Sequence, residues 1–263
     1  MNERYVIPSL DRAVQVLDLL ARRPGGETLA ELARATDIPK STLFRILVTL
    51  QKHHCVVADA AGRFRLGSHL WELGNSFADQ SDLFRASAAQ MEALAQECGE
   101  TVFLSKLEDG EVVYLRRMES PKSITVVKKL QTRVPAHCTA TGIALMAWLP
   151  PAEVDGIIDA HGMEAINDAT VTDRGVLKER LAEARRREYA VVDGEYNRDL
   201  LCVAAAVLDH RRRPCAALTV ALVSAQVRGH EQVERVGAAV RSAARAVSQE
   251  MGASTLAVAT NGH

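Results

Sequence analysis

The chain has 263 residues, 48% of them hydrophobic and 25% charged, with a formal net charge of −1 at pH 7. That profile fits an ordinary globular protein with length for two domains, each able to bury a core. No apolar run approaches the roughly 18 residues that span a bilayer, and Met1-Asn2-Glu3-Arg4 lacks the basic-then-apolar start of a signal peptide.

The first helix is expected over 9–22, with Ser9 as its cap and Leu10, Ala13, Val14, Leu17 and Leu20 on one apolar stripe before Pro24-Gly25-Gly26 stops it. Thr28-Leu-Ala-Glu31 is a capping box that opens a short second helix with Leu29, Leu32 and Ala33 facing inward. Ile38-Pro39 ends it, and Pro39 suits the first position of a third helix, about 39–53, that buries Leu43, Leu47 and Leu50. Val56-Val57 and Phe64-Arg65-Leu66 around Asp59–Gly62 read as a hairpin. Three short helices followed by a hairpin make a winged helix-turn-helix, assigned to 6–67.

Residues 68–98 are expected as connecting helices with a break near Asp79–Asp82. Their apolar face (His69, Leu70, Leu73, Phe77, Leu83, Phe84, Met91, Leu94) suits dimerisation. The third region, 99–253, alternates strands and helices. Strands are expected at Thr101–Ser105 and Glu111–Leu115 around the Asp109-Gly110 turn, at Ser123–Val127, at Ala190–Val192, and at Leu201–Leu208 and Cys215–Val223. Helices are expected at about 139–149, 151–160, 173–188 and 230–251, with the tail Ala253–His263 frayed. The fold class is α+β with a mostly antiparallel sheet.

Charge separates along the chain. Residues 1–66 hold 10 Lys/Arg against 7 Asp/Glu, and the remainder holds 22 against 26. A basic head on a mildly acidic body suits double-stranded DNA at one end only. On the third helix Ser41, Phe44, Arg45, Val48 and Lys52 face outward. Arg45 is placed for a bidentate contact to guanine, while Lys40, Ser41 and Thr42 sit at the positive helix end, within reach of phosphate. Phe44 either meets thymine methyls or packs on the first helix. In the hairpin, alternation turns Phe64 inward and leaves Arg63 and Arg65 for flanking phosphates.

These segments resemble the IclR family of bacterial transcriptional regulators. The likeness runs through Ser9-Leu-Asp-Arg-Ala-Val-Gln-Val-Leu, Leu29-Ala-Glu-Leu-Ala, Ile38-Pro-Lys-Ser-Thr-Leu-Phe-Arg-Ile-Leu and Phe64-Arg-Leu-Gly. It continues in Gly99-Glu-Thr-Val, Val113–Ser120, Pro135-Ala-His-Cys-Thr-Ala-Thr-Gly, Cys202-Val-Ala-Ala-Ala-Val and Ala216-Ala-Leu-Thr-Val, so it covers about 5–253. The resemblance implies a GAF-like effector domain at 99–253, homodimers or homotetramers on a palindromic operator, and control of a catabolic or stress operon by a small metabolite, read here as repression of a catabolic operon. Matched motif by motif, it implies an effector pocket with Thr139, Ala140 and Thr141 on a loop whose backbone N–H groups hold a carboxylate. Asp193 or Glu195, Cys202, Thr219 and Ala221 would form the opposing wall.

The sequence departs from the family pattern at Asp199 (a common glycine), Ile143 (an often-found lysine) and Ala221 (one of two frequent serines). A less polar pocket favours a larger effector than a small keto acid, partly apolar and aromatic or amide-bearing. Cys55, Cys98, Cys138, Cys202 and Cys215 are odd in number, scattered and without a CxxC pair. This predicts no disulfide framework, no metal site and a reducing, cytoplasmic setting. A Cys-His hydrolase assembled from His137, Cys138, Cys202, Asp193 and His210 has no supporting spacing, and phosphate-cradle, HExxH and GxSxG motifs are absent. The reading is therefore a non-enzymatic regulator without a cofactor or catalytic residues.

Overall fold

The computed structural model describes residues 5–119 and 133–253. The strand expected at Ser123–Val127 and the tail beyond Ala253 lie outside those residues. The chain divides into two compact units, Met1–Ser81 and Asp82–His263.

The first unit begins with α1 (Pro8–Ala21), where Pro8 occupies the first helical position and Ile7, not Ser9, is the N-cap. A proline's missing N–H costs nothing there and its φ is already helical, so the helix starts two residues earlier than a Ser9 cap suggests. Two apolar stripes overlap on α1, and packing selects the one through Val16 and Leu20, leaving Leu10 and Val14 exposed. After β1 (Glu27–Thr28), α2 (Leu29–Thr36) opens on the expected capping box. The Thr28 hydroxyl accepts from Glu31 N at 3.3 Å, and the Glu31 carboxylate accepts from Thr28 N at 2.8 Å.

Asp37 ends α2 in the left-handed region at φ 56°. Pro39 then acts as the N-cap of α3 (Lys40–Lys52) rather than as its first residue, its carbonyl accepting from Leu43 N. Helix α3 buries Leu43 and Leu47 against Val16, Leu20, Leu32 and Val56; Ile46 is also buried, and Leu50 is half-buried. Strands β2 (Val56–Ala58) and β3 (Arg63–Leu66) form the hairpin, and β1 adds a third antiparallel strand in the order β1-β3-β2. At two residues, β1 is too short to leave a periodic signal. Helix α4 (Ser68–Asp79) completes the unit and buries none of its residues.

The second unit contains α5 (Asp82–Cys98), β4 (Thr101–Glu108), β5 (Glu111–Met118), β6 (Arg133–Pro135), α6 (Ala140–Met146), α7 (Pro151–His161) and α8 (Arg174–Arg187). It ends with β7 (Ala190–Asp193), β8 (Leu200–Leu208), β9 (Pro214–Val223) and α9 (His230–Glu250). The sheet order is β6-β5-β4-β9-β8-β7, and every neighbouring pair is antiparallel. Asp109 and Gly110 both take positive φ, 51° and 79°, which is the type I′ geometry that matches strand twist in a tight hairpin.

Alternation along the strands builds two cores, one on each face of the sheet. Val102, Leu104, Val203, Ala205, Leu218 and Val220 pack with α5 and α9. Val112, Val134, Val192 and Ala204 pack with α6, α7 and α8. Phe103, Cys202, Thr219 and Ala221 point to this second face, since they lie one residue out of phase with the first set. The register agrees, pairing Phe103 with Thr219 and Ala221 with Cys202.

Replacing Thr28 with Ala should lower the local stability of α2 by about 1 kcal/mol. The expected readout is roughly fivefold faster hydrogen exchange of the α2 amides. Unchanged exchange would show that the cap does not hold this helix.

Candidate functional site

Helix α3 carries its polar and aromatic residues on one open face. Lys40, Ser41, Phe44, Arg45, Val48 and Lys52 are exposed, and Thr42 is half-buried. Phe44 is 54% exposed and lies outside the core cluster. Among the described residues Lys40 and Arg45 form no ion pair, which leaves both charges available to an external anion.

The wing arginines are occupied. Arg63 Nη1 donates to Gly26 O at 2.8 Å and to the Glu31 carboxylate at 3.3 Å. Arg65 Nη2 donates to the Asp59 carboxylate at 3.3 Å. Arg63 therefore folds back on the start of α2 instead of standing free. The capping glutamate of α2 draws it there, a tertiary partner that strand alternation does not reveal. The same environment holds the Glu31 carboxyl below its usual range, chiefly through the Thr28 N–H and hydroxyl and then through Arg63.

In the second unit a cavity of about 470 Å³ opens between the start of α6 and the sheet. Thr139, Ala140 and Thr141 line its loop side, and Glu195, Cys202, Thr219 and Ala221 line the far wall. Asp193 does not reach it; this side chain is exposed and accepts from Ser224 Oγ at 2.9 Å. Gly194, at φ +71°, turns the chain so that Asp193 and Glu195 face different surroundings. Sequence reasoning missed Phe103, Tyr114, Cys138, Ile166, Tyr196 and Leu200, which supply most of the apolar and aromatic surface. Strand alternation could have placed Phe103, which has the same parity as Thr101 and Ser105 on β4. Ile166 and Tyr196 stand on loops with no periodic signal.

Two sets of bonds fix the cavity's shape. Thr141 Oγ1 and Thr219 Oγ1 share a hydrogen bond of 2.8 Å with both residues buried, tying α6 to β9. The Thr139 hydroxyl donates to Pro135 O at 3.0 Å and accepts from Gly142 N at 3.2 Å, so one N–H at the helix start already has a partner. Gly142 lies so close to Ala136 that a Cβ there would fall 2.1 Å from the Ala136 oxygen. On the opposite side Glu195, 3% exposed, is ion-paired to Arg180 and accepts from Val171 N at 3.2 Å. Asn167 and Thr170 donate to the Glu195 carbonyl at 2.9 and 2.8 Å, pinning the 162–172 loop beside the cavity.

The cavity is hostile to nucleophile chemistry. Burial pushes the Cys138 thiol up to about 12, with the Glu195 charge adding to it, and burial does the same to Cys202. His137 Nε2 lies 3.0 Å from Glu164 O, and the exposed His210 lies 3.2 Å from Arg211 Nε. Among the described residues neither histidine hydrogen-bonds Cys138 or Cys202, and no group of three His, Cys, Asp or Glu side chains could hold a metal ion. No helix among them is long and apolar enough to cross a membrane.

A winged helix-turn-helix followed by a sheet domain with a partly open cavity is an architecture suited to a DNA-binding transcriptional regulator. The family model of the IclR helix-turn-helix domain matches residues 9–60, and that of the bacterial transcriptional regulator IclR C-terminal domain matches 75–249. The chain belongs to the IclR family. The transcriptional repressor IclR of Escherichia coli is 29% identical over 249 residues, 94% of this chain and 90% of that one. An IclR-type regulator from Alicyclobacillus acidocaldarius superimposes with a TM-score of 0.86 at 28% identity, covering 94% of this chain and 100% of that one. An IclR homologue from Microbacterium hydrocarbonoxydans, solved with 4-hydroxybenzoate, gives a TM-score of 0.81 at 25% identity, covering 94% and 100%.

The thiols provide a test of the cavity's polarity. Their folded pKa lies above the unfolded value of 9.0, so the unfolded chain loses its protons first and stability should fall as pH rises past about 9. At pH 8, Cys138 and Cys202 should be alkylated by iodoacetamide at least about 100-fold more slowly in the folded protein than in urea. Equal rates would mean that the cavity is wet and open.

Proposed function

We propose that this protein is a cytoplasmic, non-enzymatic repressor of a catabolic operon, and that an organic effector bound in the cavity alters its grip on a palindromic operator. The cavity carries this reading: about 470 Å³, walled by Phe103, Tyr114, Ile166 and Leu200 with a few hydroxyls among them. Ligand sites of this size are mostly apolar with a few polar groups that set orientation. A partly apolar ring fits such a wall better than a pyruvate-sized acid, and Ala221 offers no hydroxyl to the smaller ligand. The homologue with bound 4-hydroxybenzoate points in the same direction. The test is a footprint on the DNA upstream of the protein's own gene, titrated with glyoxylate, pyruvate and 4-hydroxybenzoate. An aromatic acid should change occupancy at lower concentration than the small acids, and indifference to all three would remove the effector reading.

Operator reading is assigned to α3. Arg45 addresses a guanine edge, Lys40, Ser41 and Thr42 address phosphates, and Phe44 is free to meet a thymine methyl. Replacing Arg45 with Ala should weaken specific binding by about 1–3 kcal/mol and relax base preference at one position per half-site. Equal losses on operator and on random DNA would place base readout elsewhere. Arg65 and, behind its ion pair, Arg63 serve the flanking backbone.

The chain works as a dimer or a dimer of dimers. On α4, Trp71, Leu73 and Phe77 are 71%, 52% and 54% exposed, and the helix buries nothing within its own unit. A second copy of the chain would cover this face and present two recognition helices to symmetric half-sites. Replacing Leu73 with Glu should lower both the sedimentation-derived mass and operator affinity. A variant that stays oligomeric with full affinity would exclude α4 from the interface.

A further inference from the structure

Tyr114 stands out among the cavity residues. It comes from β5, near one edge of the sheet, yet its ring lies edge-on against Phe103 with centroids 5.3 Å apart. Cys138, Cys202 and Tyr196 line the same cavity. Among the described residues the Tyr114 hydroxyl has no hydrogen-bond partner. The other polar groups of the wall are already engaged: Thr139 with Pro135 and Gly142, Thr141 with Thr219, and Glu195 with Arg180 and Val171.

Among the described residues Ser105 Oγ is the fully buried side-chain atom left without a partner, so the unpartnered Tyr114 hydroxyl keeps surface open to the cavity, where a donor on a largely apolar wall is available to a ligand. Such a group persists where a ligand supplies the missing bond, and removing it then costs ligand affinity rather than folding stability. Burial, with the neighbouring thiols and Tyr196, raises the pKa of the phenol well above its ordinary value. It therefore keeps its proton throughout the physiological range and stays a donor.

We propose that Tyr114 determines effector specificity, its hydroxyl donating to an oxygen substituent on an aromatic ring that lies against Phe103. This rests on the effector reading of the cavity and narrows the ligand class to oxygen-substituted aromatics, phenols or aryl carbonyls, over their unsubstituted parents. A site built to hydrogen-bond an oxygen rejects the analogue that lacks it more strongly than an apolar pocket rejects a missing methylene.

The test is calorimetry of the full-length protein with benzoate and with its para-hydroxylated form, using wild type, Tyr114→Phe and Ala221→Trp. Wild type should prefer the hydroxylated acid by at least about tenfold. Tyr114→Phe should keep its affinity for benzoate, lose most of the preference, and melt at the same temperature or higher, since no bond within the protein is lost. Ala221→Trp, which fills the cavity, should abolish binding of both. If Tyr114→Phe retains the wild-type preference, the specificity role is overturned while the cavity remains the effector site. If Ala221→Trp leaves both affinities unchanged, the cavity reading itself falls. If wild type binds neither acid, the aromatic ligand class is wrong and the proposal falls with it.

Discussion

The hydrogen bond between Thr141 and Thr219 is the contact on which the effector domain's geometry depends. It joins a seven-residue helix to the middle of the sheet, and every residue of that helix is buried. A helix this short has little stability of its own, so its place is fixed by burial and by the two hydroxyls. Gly142 seals the arrangement, because only a residue without a Cβ lets α6 approach the Ala136 backbone so closely. The loop side of the cavity and its sheet floor therefore move together. The opposite wall is held independently through Glu195, whose charge is met by Arg180 rather than left for a ligand. A cavity fixed on both sides before a ligand arrives is preorganised, and less ordering entropy is lost on binding.

The sheet also decides what a ligand can influence. Strand β9 shows Thr219 and Ala221 to the cavity while Leu218, Val220 and Leu222 pack with α5 and α9 on the other face. Helix α5 packs directly on β9, with no further element between them. Helix α5 follows α4 in the chain after only Gln80 and Ser81. Covalent continuity thus connects the cavity-lining sheet to the helix that exposes Trp71, Leu73 and Phe77. Close-packed cores respond to shifts as units because they have few voids to absorb them.

Much of this architecture was legible in the sequence, for reasons specific to each element. The Thr28–Glu31 capping box and the Asp109-Gly110 turn are local chemistry, and each occurs where its residues require it. The three windows of helix, the break before Asp82 and the long strands follow from periodicity, which needs a length of several residues to register. What failed lacked that length or had two equally periodic answers. Strands β1 and β6 have two and three residues. On α1 the stripes through Leu10 and through Val16 are spaced alike, and only the packing of α2 and α3 chooses between them. Cavity residues on strands Cys202, Thr219 and Ala221 could be matched by motif, whereas Tyr114 reaches the site by crossing Phe103, a three-dimensional fact with no trace in spacing. Asp193 and Glu195 differ by two residues, and the positive φ of Gly194 between them cancels the parity that would have put both on one side.

The arginines show a further limit of sequence reasoning, and it bears on how DNA is read. Alternation states which side of a strand a charge occupies but not which partner it meets. Arg63 and Arg65 have the same parity on β3, yet one is drawn to the acceptor end of a capping box and the other to the aspartate that organises the hairpin turn. For either to bind phosphate it must leave an ion pair, which cancels part of the gain; such exposed pairs are typically worth about 0.2–1 kcal/mol. Among the described residues Arg45 and Lys40 have no such partner to leave. The charges of Lys40 and Arg45 on α3 are thus left for an external anion, while the wing's arginines first serve to hold the wing's own shape. If α3 reads bases as proposed, discrimination should be concentrated there, and the wing should contribute orientation and a modest, salt-sensitive share of affinity.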